Sequence, residues 1–480
     1  MKRPPQNIRA RVEEAVSTAS EARSIGAQPT SRSLSQAVAA FLSNPVVYGA
    51  FIPTITLLNA VVGILLPALM TPRVFGEYSL ASTLFQYGLI FDCGTGQLAD
   101  RWIPAALARH EYGEAERLGQ NLLWLRFYIA FAVFSLAAVA LSVLASNGSL
   151  PFSLPVGILS ALAGTLYMAS LGPGFIYRAR SARRNYAFAI GTLSLGLVIA
   201  RPAGMLAGGL VGSFLALAVW YLVFVCFFHW RMPARAAFRP APRTAVMLTL
   251  RGMPFFATSF VWAFYVTANR WFASRLMEPQ PFGHFAFSAN IYSLLIGAVG
   301  GLSAFYYPKV VGQIASEPAY ALSGRLLRDF IRLTLGVGLI MAGGIALAPF
   351  LISIIYPSYI GSVASARVLL TAVPAMVLVS WILPISLSAG RRPWVDGVIL
   401  YPAASLILYV AIRLLSPRFG DVGTAAASIA SALPLLMALL AQLMHARIVR
   451  LPAALLIFAT AGAVTGALCA LIWMIQRVHL

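Results

Sequence analysis

From residue 49 onward the chain alternates apolar runs of about 20 residues with short basic or Gly/Pro-rich interruptions, the length a helix needs to cross a bilayer core. The pattern predicts thirteen crossings, near 49–70, 78–99, 121–143, 152–174, 186–203, 205–228, 252–274, 283–306, 330–354, 364–387, 394–414, 421–443 and 451–474. The fifth and sixth are divided only by Arg201-Pro202 and Gly204, yet residues 186–228 together exceed any single crossing. Residues 1–44 carry Lys2, Arg3, Arg9, Arg11, Arg23 and Arg32 among Ser, Ala, Gln and Pro. No short apolar region follows the start, so this stretch is expected to be a polar cytoplasmic tail and not a signal peptide, with 34–42 as a short surface helix.

Charge fixes an expected orientation. Counted on alternate sides of the crossings, 27 of the 35 Lys and Arg fall on the side of the N-terminus, and cytoplasmic loops are enriched in these residues. The N-terminus is therefore expected inside and, with thirteen crossings, the C-terminus outside. Composition agrees: 60% of residues are hydrophobic and 10% charged, against about 25% charged in an average soluble protein. An ordinary soluble enzyme and a single-pass anchor are both excluded. The net charge of +21 needs no nucleic acid, because orientation accounts for most of it. Cys93, Cys226 and Cys469 all lie in apolar runs and read as small hydrophobes.

The first six crossings can be laid over the next six. FGEYSLAS from Phe75 aligns with FGHFAFSA from Phe282, Arg126 with Arg332, and Arg117 with Arg325, at separations of 206 to 208 residues. Pro173 before Arg183-Arg184 then corresponds to Pro384 before Arg391-Arg392. Six crossings preserve orientation, so the expected fold is an all-α polytopic membrane protein. It has two parallel-repeat six-helix lobes around a central cavity. The expected organisation is a tail over 1–44, an N-lobe over 45–230, a basic Pro-rich linker over 231–251, a C-lobe over 252–446 and an additional transmembrane helix within 451–480.

The chain offers little for catalysis. It has five Asp, no DxD, no long outer loop, no phosphate-binding Gly-rich motif, and five histidines without metal-ligand spacing. No metal and no cofactor are expected. What the crossings do hold is arginine. An Arg at mid-bilayer costs about 2.5 to 3.5 kcal/mol on insertion scales and normally faces water or a partner. Arg126, Arg201, Arg270, Arg332, Arg367 and Arg413 are the candidates for a cationic lumen that takes an anionic ligand, with snorkelling to an interface as the alternative for each. Asp92 is the clearest acid inside a crossing; it either pairs with Arg101 or Arg126 or titrates with a coupling ion. Tyr265, Tyr292, Tyr306 and Tyr307 offer aromatic faces to sugar rings, with packing as the alternative.

The segment PRVFGEYSLASTLFQYGLIFDCGTGQLADRWIP resembles the second helix of polysaccharide flippases in the multidrug/oligosaccharidyl-lipid/polysaccharide exporter superfamily. Gly76 with Tyr78 opens the motif, and Asp92, Gly94 and Arg101 close it. The resemblance continues through ANRWFASRLMEPQPFGHFAFSANIYSLLIGAVGGLSAFYYPKVV, IIYPSYIGSVASARVLL, LSAGRRP and FGDVGTAAASIAS, covering nearly all of 49–445. Asn269-Arg270 stands where the family commonly has Asp-Arg, which removes one acid. The resemblance implies a bacterial inner-membrane transporter, not an enzyme, that flips a polyprenyl-diphosphate-linked saccharide by alternating access for surface or exopolysaccharide biosynthesis, with proton or sodium coupling in some members. It implies as partners a lipid-linked anionic saccharide, membrane lipids, glycan polymerase and glycosyltransferases. An ion-coupled small-molecule exporter of the same superfamily, a polytopic glycan polymerase and a scaffold of a glycan-assembly complex are the alternatives.

Overall fold

The computed structural model describes residues 45–180, 182–231, 242–316, 319–389 and 396–478. The expected tail, residues 232–241 of the expected linker, Arg391 and Arg392 lie outside these residues, as do the side chains of Arg183, Tyr306, Tyr307 and Pro384.

Every regular element among the described residues is helical, the economical way to satisfy backbone polar groups in a bilayer. After α1 (Pro45–Leu65), the first lobe comprises α2 (Pro72–Ile90), α3 (Thr95–Ala108), α4 (Tyr112–Ser146), α5 (Leu154–Ala179), α6 (Arg183–Leu195) and α7 (Arg201–Arg231). The second comprises α8 (Pro242–Ala273), α9 (Pro279–Ser316), α10 (Ala319–Ile355), α11 (Val363–Ala389) and α12 (Tyr401–His445), with α13 (Leu451–Val478) after it. Among the described residues nine helical segments are long and apolar enough to cross a membrane.

Two of those segments are bent double. In α7 the break is at Gly208 and Gly209, where Gly209 has φ 59° and ψ −144°. In α12 it is at Gly420, with φ 57° and ψ −132°. Few residues other than glycine reach that conformation. Gly204 and Gly212 then meet so closely that a Cβ on either would strike the other's carbonyl, and the Trp220 Nε1–H reaches back to the Thr192 carbonyl at 3.0 Å. Gly423 likewise abuts the Leu415 carbonyl. The fifth and sixth predicted crossings are therefore the two arms of one hairpin, and so are the eleventh and twelfth.

Three sequence expectations need correction. The turn between the fifth and sixth crossings is at Gly208-Gly209, not at Arg201-Pro202. A π turn over Gly196–Ala200 precedes Pro202, so the missing proline N–H is absorbed within a continuous helix. The second crossing does not run over 78–99. It begins at Pro72, ends at Ile90, and is followed by an elbow in which Cys93 (φ 49°) and Gly94 (φ 73°) both have left-handed backbone. The expected linker is not irregular to residue 251, because α8 begins at Pro242.

The lobes pack by the same plan. In the first, α5 lies against α2, α4 and α7; in the second, α11 lies against α9, α10 and α12. The lobes join mainly where α2 meets α9 and α8. The repeated Phe-Gly pair forms this seam. A Cβ at Gly76 would be 2.9 Å from the Phe282 ring, and one at Gly283 would strike the Pro72 carbonyl. Phe75 packs edge-on to Phe287 and Tyr359. At the other end of α2, Gly94 and Gly252 make a second backbone contact. The extra helix α13 covers α10 and α11.

Candidate functional site

The six arginines and Asp92 separate into different environments. Arg126, on α4, is 3% exposed and fully engaged by the protein. Its Nη1 donates to Asp92 Oδ2 at 3.1 Å and to Thr95 Oγ1 at 3.0 Å, its Nε and Nη2 donate to the Met168 carbonyl, and its guanidinium lies over the Phe175 ring. Asp92 also accepts from the backbone N–H of Gly94 at 2.9 Å and of Gly96 at 3.0 Å. It thus caps α3, where a carboxylate complements the orphan amides and the helix dipole. The Asp-x-Gly spacing is the chemistry of this elbow: the acid turns back on the next amides and glycine takes the left-handed position. Asp92 lies in the elbow and not inside a crossing. Asp100 and Arg178 form a further ion pair at this end of the lobe.

Arg332 and Arg413 are exposed on helix surfaces; Arg413 Nε donates to the Tyr409 hydroxyl one turn away. Arg367 is half-buried and donates from Nε to the Ile345 carbonyl at 3.1 Å.

Arg201 and Arg270 are different again. Among the described residues neither has a carboxylate at ion-pair distance. Arg270 is 3% exposed. Its Nη2 donates to the Ala289 carbonyl at 3.0 Å and to Ser293 Oγ at 2.8 Å on α9, while Nε has no acceptor. Tyr87 on α2 shares a 2.7 Å hydrogen bond with Thr267, one turn before Arg270. Arg270 therefore sits where α8, α9 and α2 converge on the lobe seam. Ser293 is 14 residues along α9 from Pro279, and Tyr87 is 15 along α2 from Pro72. At 1.5 Å per residue these are about 21 and 22 Å from those ends, while Tyr87 is three residues from the other end of α2 and Arg270 is in the last turn of α8. The Asn269 Oδ1 beside it is likewise buried without a donor.

From Arg270 toward the arginine-rich end, the seam is aromatic. Tyr87, Phe91, Phe256 and Phe260 interlock with ring centroids 4.7 to 5.7 Å apart, and Phe264 continues the row. Of the tyrosines singled out in sequence, Tyr265 and Tyr292 are buried, and Tyr265 stacks on Tyr401 and bonds Ser431. Sequence reasoning missed Tyr87, Thr267 and Ser293. They are ordinary polar residues in apolar runs, and only the crossing of α2, α8 and α9 brings them to Arg270.

No protein-family model matches the chain, and no curated protein sequence does. The fold is similar to that of an inward-facing multidrug resistance MATE family transporter of the MOP superfamily, with TM-score 0.63 and 14% identity over 87% of this chain and 95% of that one. It is also similar to the lipid II flippase MurJ in an inward closed conformation, with TM-score 0.57 and 12% identity over 90% of this chain and 100% of that one. A MATE structure in complex with MaL6 gives TM-score 0.52 and 14% identity over 90% of this chain and 96% of that one. The two-lobe architecture is thus that of known membrane transporters.

Proposed function

We propose that this chain is a transporter that moves a polyprenyl-diphosphate-linked saccharide across the bacterial inner membrane by alternating access of its two lobes, for surface or exopolysaccharide assembly. The observation that carries the reading is Arg270, a buried guanidinium on the lobe seam with, among the described residues, no carboxylate at ion-pair distance and an Nε–H left unmet. A buried donor without a partner costs about 1 to 3 kcal/mol, more when charged. An arriving diphosphate supplies the missing acceptors, and the guanidinium fork suits its geometry. The fold likeness to a lipid II flippase supports a lipid-carried substrate. The fold likeness to MATE transporters, together with the aromatic row along the seam, favours a second reading as an ion-coupled exporter of small molecules.

Reconstituted vesicles separate the two. With a polyprenyl-diphosphate saccharide in one leaflet, the wild-type protein is expected to equilibrate it across the bilayer. Arg270→Ala is expected to slow this at least about tenfold, the equivalent of one charge-assisted hydrogen bond, while still inserting and folding. No translocation by the wild type, or wild-type rates in Arg270→Ala, would overturn the proposal.

A further inference from the structure

The arginine-rich end of the seam is closed where α3 meets the start of α8. On α8, Leu248, Arg251, Gly252 and Phe255 recur at the spacing that places them on one face of a helix. Leu248 is fully buried in the first lobe's cluster with Leu98, Ile103 and Leu122. A Cβ at Gly252 would strike the Cys93 carbonyl, so no side chain separates the two backbones there. On α3, Leu98, Arg101 and Trp102 share a face in the same way.

The two faces exchange cations for rings. The Arg101 guanidinium of the first lobe lies over the Phe255 ring of the second at 4.4 Å, and the Arg251 guanidinium of the second lies over the Trp102 ring of the first at 5.1 Å. Both are inside the reach of cation–π attraction, about 6 Å. Among the described residues neither guanidinium has a carboxylate at ion-pair distance. Asp100, the acid next to Arg101, is engaged by Arg178. Arg201 also covers a ring, Tyr78 at 4.8 Å, but both belong to the first lobe, so that stack cannot join the lobes. The opposite end of the seam is closed by different chemistry, with the Tyr359 hydroxyl donating to the carbonyls of Pro67 and Met70. Arg101 and Arg251 are exposed, and a ring holds a guanidinium without neutralising it. Parting these contacts therefore strands no buried charge, unlike the breaking of a buried ion pair.

We propose that the two reciprocal stacks are a latch on the arginine-rich end of the seam: together they hold it shut, and their parting opens it. The latch rests on the alternating-access part of the proposed function and not on what is carried.

The test is the labelling rate of Phe260→Cys, in the full-length protein with Cys93, Cys226 and Cys469 replaced, by a membrane-impermeant maleimide applied from the arginine-rich side. Adding Arg101→Gln and Arg251→Gln together is expected to raise the rate about fivefold to thirtyfold, the ratio equivalent to two exposed cation–π contacts. Phe255→Leu, which keeps an apolar side chain and loses the ring face, is expected to raise it about twofold to fivefold. Arg109→Gln removes a charge that is paired with Glu111 and is expected to leave the rate unchanged. An unchanged rate in the double Gln variant or in Phe255→Leu, or an equal rise in Arg109→Gln, would overturn the latch. Gly252→Val tells this failure from that of the transport reading. A rise there with none in the double Gln variant removes the latch alone, and no rise in either removes the parting of the lobes as well.

Discussion

Arg126 and Arg270 are buried to the same degree and have opposite meanings. Arg126 spends its guanidinium on Asp92, Thr95 and the Met168 carbonyl, so it holds the elbow and α3 in place. Removing one partner of a buried pair strands the other, at about 3 to 5 kcal/mol. Arg126→Ala is therefore expected to lower the unfolding midpoint sharply, with transport falling only as folded protein is lost; a stable Arg126→Ala protein would refute the structural role. Arg332, exposed on α10, is expected to tolerate Ala with an unchanged transport rate in the same vesicle assay. In sequence these arginines look alike, because each is a lone cation in or near an apolar run. The acid that neutralises Arg126 is 34 residues away, and only the elbow at Cys93-Gly94 places it there.

At the scale of elements, the glycines that bend α7 and α12 repeat the duplication more faithfully than the sequence match does. Gly209 and Gly420 share nearly the same backbone angles 211 residues apart, and Gly212 and Gly423 make equivalent close contacts at the same separation. Earlier in the lobes the matching residues are 206 to 208 apart, so the difference is absorbed between elements. Gly209→Ala and Gly420→Ala are each expected to destabilise by about 1 to 3 kcal/mol through backbone strain, read as lower unfolding midpoints in detergent. Neutral effects would mean that the hairpins relax at no cost. The helical, two-lobe plan was legible because apolar length and repeat spacing are local properties of the chain. The break after Ile90 was not legible, because apolar residues continue into α3, where Leu98, Ile103 and Ala106 bury against α4 and α5 instead of lipid. Neither was the turn at Gly208-Gly209, since the Arg201-Pro202 signal beside it is met by a π turn.

For the whole molecule, α2 is the member that both lobes hold. Its first turn is locked to α9 by Gly76, Phe282 and Gly283, and Tyr356 and Tyr359 add hydrogen bonds to the α1 side of the same end. Its last turn reaches α8 through Gly94 and Gly252 and through the Phe91 contacts, with Arg101 over Phe255 and Arg251 over Trp102 just beyond. The two contacts lie on opposite sides of Arg270, so access to that residue from either end requires one of them to part. Packed interfaces of this kind respond to added volume by separating, since interiors have few voids. Gly283→Val is therefore expected to open the arginine-poor end, and Gly252→Val the arginine-rich end. A single cysteine at Phe260→Cys, in a background with Cys93, Cys226 and Cys469 replaced, reports the difference through a membrane-impermeant maleimide. Gly252→Val should raise labelling from the arginine-rich side and Gly283→Val should lower it. Identical labelling in both would show that the lobes do not exchange contacts about α2, and with it the alternating-access reading of this seam would fall.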